Sequence, residues 1–145
     1  MKKATWMILI LLFIMTVSTV LFAKNLEADK NAIKKENIEY ERYLGQNIYG
    51  AELATIINKA IDENEKNKVR KDEKNYYIEN EENSIKIYIN MKTVKKTYLM
   101  EEIYNNNITE FVKYFNLANF NCQTIEYHKK NGKIRSIIFE EILEK

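Results

Sequence analysis

Between Ala4 and Ala23 the chain carries no charged residue, and its only polar side chains there are Thr5, Thr16, Ser18 and Thr19. An α-helix rising about 1.5 Å per residue needs about 20 such residues to cross the hydrocarbon core of a bilayer, and this run is just long enough. A membrane anchor over residues 4–23 is therefore expected, preceded by the basic pair Lys2 and Lys3. The same stretch also has the parts of a cleaved signal peptide, with the two lysines as n-region and Trp6–Met15 as h-region. Its cleavage site is poor. A cut after Ala23 sets Leu21 at −3, where a small residue is needed, and a cut after Ser18 leaves a very apolar new terminus. The short basic tail favours an extracytoplasmic C-terminus, while Lys24, Lys30, Lys34 and Lys35 on the far side pull the other way. A lipoprotein needs a cysteine directly after the apolar run, a sortase signal needs proline, and a type IV prepilin needs a Gly-ended leader; the sequence shows none of them.

Charge and cysteine content narrow the partners. The 145 residues include 23 basic and 21 acidic ones. Two of the basic residues are Lys2 and Lys3, so everything after Ala23 is balanced and has no electrostatic pull towards nucleic acid. A single cysteine, Cys122, and a single histidine, His128, form neither an internal disulfide nor a Cys/His zinc site. Asp62 to Glu73 has the length of a calcium loop, but Asn67 stands where the sharp turn needs glycine, and Lys66, Lys68, Arg70 and Lys71 repel a cation. Neither a metal nor a cofactor is expected, and no nucleophile is placed by motif for catalysis.

Residues 24–50 read as a juxtamembrane helical stalk. Leu26, Ile33 and Tyr40 recur every seven residues with Leu44 beyond them, a narrow apolar seam suited to one partner surface. Gly45 and Gly50 bracket Gln46–Tyr49 as a kink. The small α+β domain then occupies 51–145. Leu53, Ile56, Ile57, Ala60 and Ile61 predict a helix over Ala51–Asn67, followed by a solvated charged linker to Asn75. Ile85, Ile87, Ile89 and Met91 alternate as a strand, and Tyr76–Glu79 is expected to pair with it across Asn80–Asn83. Leu99, Met100, Ile103 and Tyr104 return to helical spacing. Asn107 with Glu110 starts a further helix whose face is Ile108, Phe111, Val112 and Phe115.

Asn131-Gly132 suits a two-residue type I′ hairpin turn. That register pairs His128 with Arg135, Tyr127 with Ser136 and Ile125 with Ile138, and makes Ile125, Tyr127, Ile134 and Ile138 the core face. Cys122, Glu126, His128, Arg135, Ile137 and Phe139 then share the other face. A slip of one residue exchanges the two faces. The expected architecture is an N-terminal transmembrane helix and stalk, then about four antiparallel strands covered on one side by helices.

Glu126, His128 and Arg135 are the only grouping with catalytic residue types. On one sheet face they suit binding of a ligand or partner, or proton transfer, against the commoner reading as surface cross-strand pairs. Tyr40, Tyr43, Tyr49 and Gly50, around the kink, are the expected interface with a partner, because tyrosine supplies apolar area with a polar handle. Cys122 is expected as a small half-buried strand residue, or, if outward-facing, as the site of an intermolecular disulfide.

The segment from Tyr49 to Asp62 after an apolar helix and stalk, together with Glu126-Tyr127-His128 before Asn131-Gly132, resembles small uncharacterised membrane-anchored proteins of low-GC Gram-positive bacteria. The resemblance implies a pilin-like layout without a prepilin leader, and no catalytic motif. The expected function is a non-enzymatic, single-pass protein of the cell membrane. It would present an extracytoplasmic domain to another envelope protein or to itself, in a pilus-like or secretion apparatus. The alternatives are a small-ligand sensor or enzyme using the Glu126/His128/Arg135 face, and a cleaved secreted domain.

Overall fold

The N-terminal helix α1 runs from Lys2 to Glu41 in the computed structural model, which describes residues 2–143. Met1, the side chains of residues 2–5, and the two C-terminal residues lie outside the described residues, and with them the expected basic tail. The chain divides into two units, Met1–Lys35 and Glu36–Lys145. The first is the apolar helix. It is long and apolar enough to cross a membrane, and none of its most apolar stretch is buried against protein. Thr16 and Thr19 satisfy themselves. Thr16 Oγ1 donates to Phe13 O and Thr19 Oγ1 to Thr16 O, each at 2.8 Å, which removes the hydroxyl desolvation cost in an apolar medium.

In the second unit five strands form one sheet: β1 (Asn47–Tyr49), β2 (Lys86–Met91), β3 (Lys96–Leu99), β4 (Asn119–Tyr127) and β5 (Ile134–Ile142). Their order is β1-β4-β5-β2-β3, antiparallel throughout except where β2 runs parallel to β5. The α+β class stands; the antiparallel four-strand sheet becomes a mixed five-strand one. Tyr76–Glu79 is not the partner of β2, and makes only an isolated bridge between Tyr77 and Lys71. The Asn80 side chain explains why. Its Oδ1 accepts from the backbone N–H of Glu82, Asn83 and Ser84, closing a loop that delivers the chain beside β5 rather than back along Tyr76–Glu79.

Helices α2 (Gly50–Lys66), α3 (Met100–Asn105) and α4 (Ile108–Phe115) complete the unit. The expected α2 face of Leu53, Ile56, Ile57, Ala60 and Ile61 is buried, as is the alternating set Ile85, Ile87, Ile89 and Met91. Burying each such side chain stabilises by about 1.5–3 kcal/mol. Asn64, inside the rejected calcium spacing, is a buried structural residue of α2: it donates to Ile85 O and accepts from Ile85 N, both at 2.8 Å. Asn107 caps α4 as expected, its side chain accepting from Thr109 N at 3.0 Å.

The C-terminal hairpin is present but in another register. Tyr127 pairs with Ile134, Glu126 with Ser136 and Ile125 with Ile137. The turn is a longer loop over 128–133. Gly132 has a positive φ of +75° while Asn131 does not, so the type I′ geometry is not formed. His128 and Gly132 close the loop with Lys133 O and His128 O as acceptors, and Asn37 from the end of α1 takes the place of strand partners. Its side chain donates to Gly132 O at 2.8 Å and accepts from Ile134 N at 3.2 Å. Pairing irregularities follow Cys122 and Glu126. The face assignment therefore reverses in part: Cys122, Ile137 and Phe139 are core, Ile125 and Ile138 are half-buried and Tyr127 is exposed, while Ile134 is buried and Glu126 exposed as expected.

Register places Thr97, Asn90, Glu140, Asn121 and Asn47 side by side across all five strands on the face opposite the core. The core face carries Ile48, Ile87, Ile89, Phe120, Cys122, Ile137 and Phe139, all buried. One face of the sheet is covered by helices; the other carries this polar row together with Tyr88, Leu99, Ile138 and Ile142.

Candidate functional site

The polar grouping expected on the hairpin assembles only in part. Arg135 and Glu126 pair at 2.7 Å, Ser136 Oγ donates to Glu126 at 2.8 Å, and Arg135 Nε lies 3.2 Å from Glu79. The Ser136 hydroxyl, with Arg135 second, holds the Glu126 carboxyl below the usual carboxylate range. A guanidinium between two carboxylates has little charge left for an external anion. His128 borders the same open cleft, yet its residue is only 2% exposed and Nε2 sits 2.9 Å from Ser84 O. A carbonyl only accepts, so Nε2 carries the proton and donates it to the β2 approach. The histidine ties two segments together instead of facing the pair. His128→Ala is expected to cost about 1–3 kcal/mol by orphaning the Ser84 carbonyl, read as a shift in the urea unfolding midpoint of the full chain.

The four residues expected around the kink have different surroundings. Tyr40 is 2% exposed, and its hydroxyl donates to Glu63 at 2.9 Å with Lys59 over its ring. Burial, then the Glu63 charge, drives the Tyr40 phenol far up, and burial also raises the Glu63 carboxyl. Tyr43 is buried, stacked under Arg42. These residues belong to the domain, which begins at Glu36 and not after a stalk ending at residue 50. Gly50 is buried as well: its N–H donates to Ala118 O at 2.9 Å, and an added Cβ would stand 1.9 Å from Phe115 O. Tyr49 alone is exposed, on the edge strand β1. Cys122 is fully buried, which pushes its thiol up to about 11 and keeps it away from a second chain while the domain is folded.

A different concavity is built from residues whose signals are far apart in sequence. The β2–β3 turn brings Met91, Val94 and Tyr98 against Ile103 of α3 and Phe111, Tyr114 and Phe115 of α4, around a groove of about 200 Å³. The turn is fixed from below. Buried Glu141 accepts from Thr93 N at 2.7 Å and from Thr93 Oγ1 at 2.8 Å, and Lys95 adopts a positive φ of +53°. The helical wall is set by Asn107, whose φ of +78° turns the chain between α3 and α4. Phe111 and Phe115 stack with ring centroids 5.2 Å apart. Glu102 and Glu110 are the charged residues in the lining. Glu102 is engaged by Lys96 at 3.2 Å and by Leu99 N at 2.9 Å, whereas Glu110 has a half-exposed carboxylate 3.8 Å from Lys113. The periodicity of Ile108, Phe111, Val112 and Phe115 announces a core-facing helix, but Val94 and Tyr114 lie off any periodic face. Their meeting is a tertiary event.

No protein-family model, curated protein or solved structure matches this chain, so the groove and the polar cleft stand on their own geometry. Among the described residues no group of three or more His, Cys, Asp or Glu side chains is placed to hold a metal ion.

Proposed function

We propose that this protein is a single-pass, membrane-anchored, non-enzymatic interaction module whose domain from Glu36 onward meets a protein partner at the cell envelope. The observation that carries it is the combination of a helix whose most apolar stretch is not buried against protein and a domain whose aromatic groove holds little chemistry beyond binding. An apolar helix of this length left in water is an aggregation hazard, and a bilayer is the medium that removes it. The self-satisfied Thr16 and Thr19 hydroxyls support the same medium. The pairing of Arg135 with Glu126 and Glu79, and of His128 with Ser84, weighs against a sensor or enzyme on that face.

A C-terminal tag, fractionation and protease treatment of intact cells lacking an outer barrier test this directly. The chain is expected in the membrane fraction with Met1 retained and the tag digested from outside. A mature terminus at position 19 or 24 in the medium would make it a secreted domain, and a protected tag would place the domain in the cytoplasm.

A further inference from the structure

The geometry points to a specific occupant for the groove between the β2–β3 turn and helices α3 and α4: one aromatic or long aliphatic side chain on a polypeptide segment that also carries a lysine or arginine. This inference rests on the interaction-module reading and names the chemistry of the partner at that site. Size comes first. The groove holds about 200 Å³, below the roughly 300–1,000 Å³ of pockets that enclose a whole small molecule. It is the scale of one side chain entering from outside, the anchor geometry of an interface hot spot.

The walls come second. Val94 is 51% and Tyr114 69% exposed, while Phe111 and Ile103 form a buried floor. Apolar atoms held open to water around a recess gain by covering.

Charge comes third and selects the partner's sign. Both charged residues in the lining are carboxylates. Glu102 is already held by Lys96 and by a backbone N–H, but Glu110 has only its exposed pairing with Lys113 at 3.8 Å on the same helix. Such a pair holds its partner weakly and yields to a better-placed cation. A lysine or arginine beside the inserted residue reaches Glu110 at the rim in place of Lys113, which also lies 5.3 Å over the Tyr114 ring, while an acidic neighbour finds no such partner among the lining residues.

The test uses the full chain in lipid nanodiscs, isotope-labelled for NMR, and two acetylated and amidated pentapeptides, Gly-Trp-Gly-Lys-Gly and Gly-Trp-Gly-Glu-Gly. The lysine peptide is expected to shift the signals of Ile103, Phe111 and Phe115 and to bind about threefold more tightly than the glutamate peptide, the size expected of an exposed ion pair. Glu110→Lys is expected to reverse that preference without displacing the core signals, and Tyr114→Ala to weaken both peptides. Equal binding of the two peptides, no shift at the groove, or concentration-dependent shifts there without any peptide, the sign of a second copy, would each overturn the proposal. Failure here with the tag exposed outside the cell leaves the interaction module standing; a protected tag rejects the module whatever the groove binds.

Discussion

Lys86→Met is expected to destabilise the domain by about 3–5 kcal/mol, the cost of leaving a buried charge without its partner. Lys86 Nζ lies 2.8 Å from Glu101 Oε1, with the two residues 7% and 1% exposed. Glu101 Oε1 also accepts from Tyr77 N at 3.1 Å, whereas Oε2 is buried with no hydrogen-bond partner. The carboxylate is thus held by one ammonium and one amide. Removing the ammonium leaves an anion that low-dielectric surroundings cannot solvate. The double variant Lys86→Met with Glu101→Gln removes the charge and keeps an acceptor for Tyr77, so most of the loss is expected to return. Urea unfolding of the full chain in micelles, followed by tyrosine circular dichroism, reads both. A single-variant loss below about 1 kcal/mol would mean that water reaches the pair, since exposed pairs contribute no more than that. A double variant as unstable as the single one would assign the loss to packing.

This ion pair was invisible in the sequence, for a reason that applies to the other misses. Lys86 occupies a polar position in an alternating strand, and alternation reports which face a residue takes, not what covers that face. Glu101 follows Met100 in a short helix with too few turns to show a face. The elements that were legible have local causes. Five apolar residues at helical spacing mark α2, four at period two mark β2, and a side-chain cap marks the start of α4. Strand β3 offered Lys96 and Thr97 in only four residues, and β1 only three residues between two glycines. Short edge strands are specified by their neighbours rather than by their own pattern.

The hairpin shows the same limit at the candidate site. Asn131-Gly132 correctly marked a reversal, but the register depended on Asn37, far away in the chain, capturing Gly132 O and Ile134 N. With that capture His128 is buried and Cys122, Ile137 and Phe139 take the core face while Ile134 keeps it, so the polar grouping lost its histidine. Of the tyrosines near the kink, Tyr49 is exposed as expected, whereas Tyr40 and Tyr43 are buried; a heptad-spaced seam such as that of Tyr40 packs equally well against a partner helix or against the domain's own core. The groove was out of reach for a third reason. Its walls come from a turn and two helices far apart in sequence, the turn being held by Glu141 accepting from Thr93.

Gly50→Ala is expected to cost about 3 kcal/mol, the upper part of the usual range for overpacking. The strain does not come from dihedral angles, since Gly50 is absent from the positive-φ positions. It comes from space: a Cβ there would lie 1.9 Å from Phe115 O and 2.8 Å from Phe115 C, both backbone atoms that no rotamer change can move aside. Relief requires the C-terminal turn of α4 to retreat, which stretches the Gly50 N to Ala118 O bond of 2.9 Å and the Ala51 N to Asn116 O bond of 3.4 Å. Gly45→Ala is the matched comparison. Gly45 has a φ of +72° with nothing within 4 Å of an added Cβ, so its cost is the left-handed backbone alone, roughly 1–2 kcal/mol. The two variants separate in kind as well as size. Gly45→Ala is expected to leave the amide signals of residues 115–118 in place, while Gly50→Ala shifts them and, through Phe115, narrows or opens the groove. Weaker peptide binding in Gly50→Ala but not in Gly45→Ala would tie the glycine beneath α4 to the shape of the surface above it. Equal stability losses with unmoved signals would assign the cost of Gly50→Ala to its own backbone rather than to contact with α4.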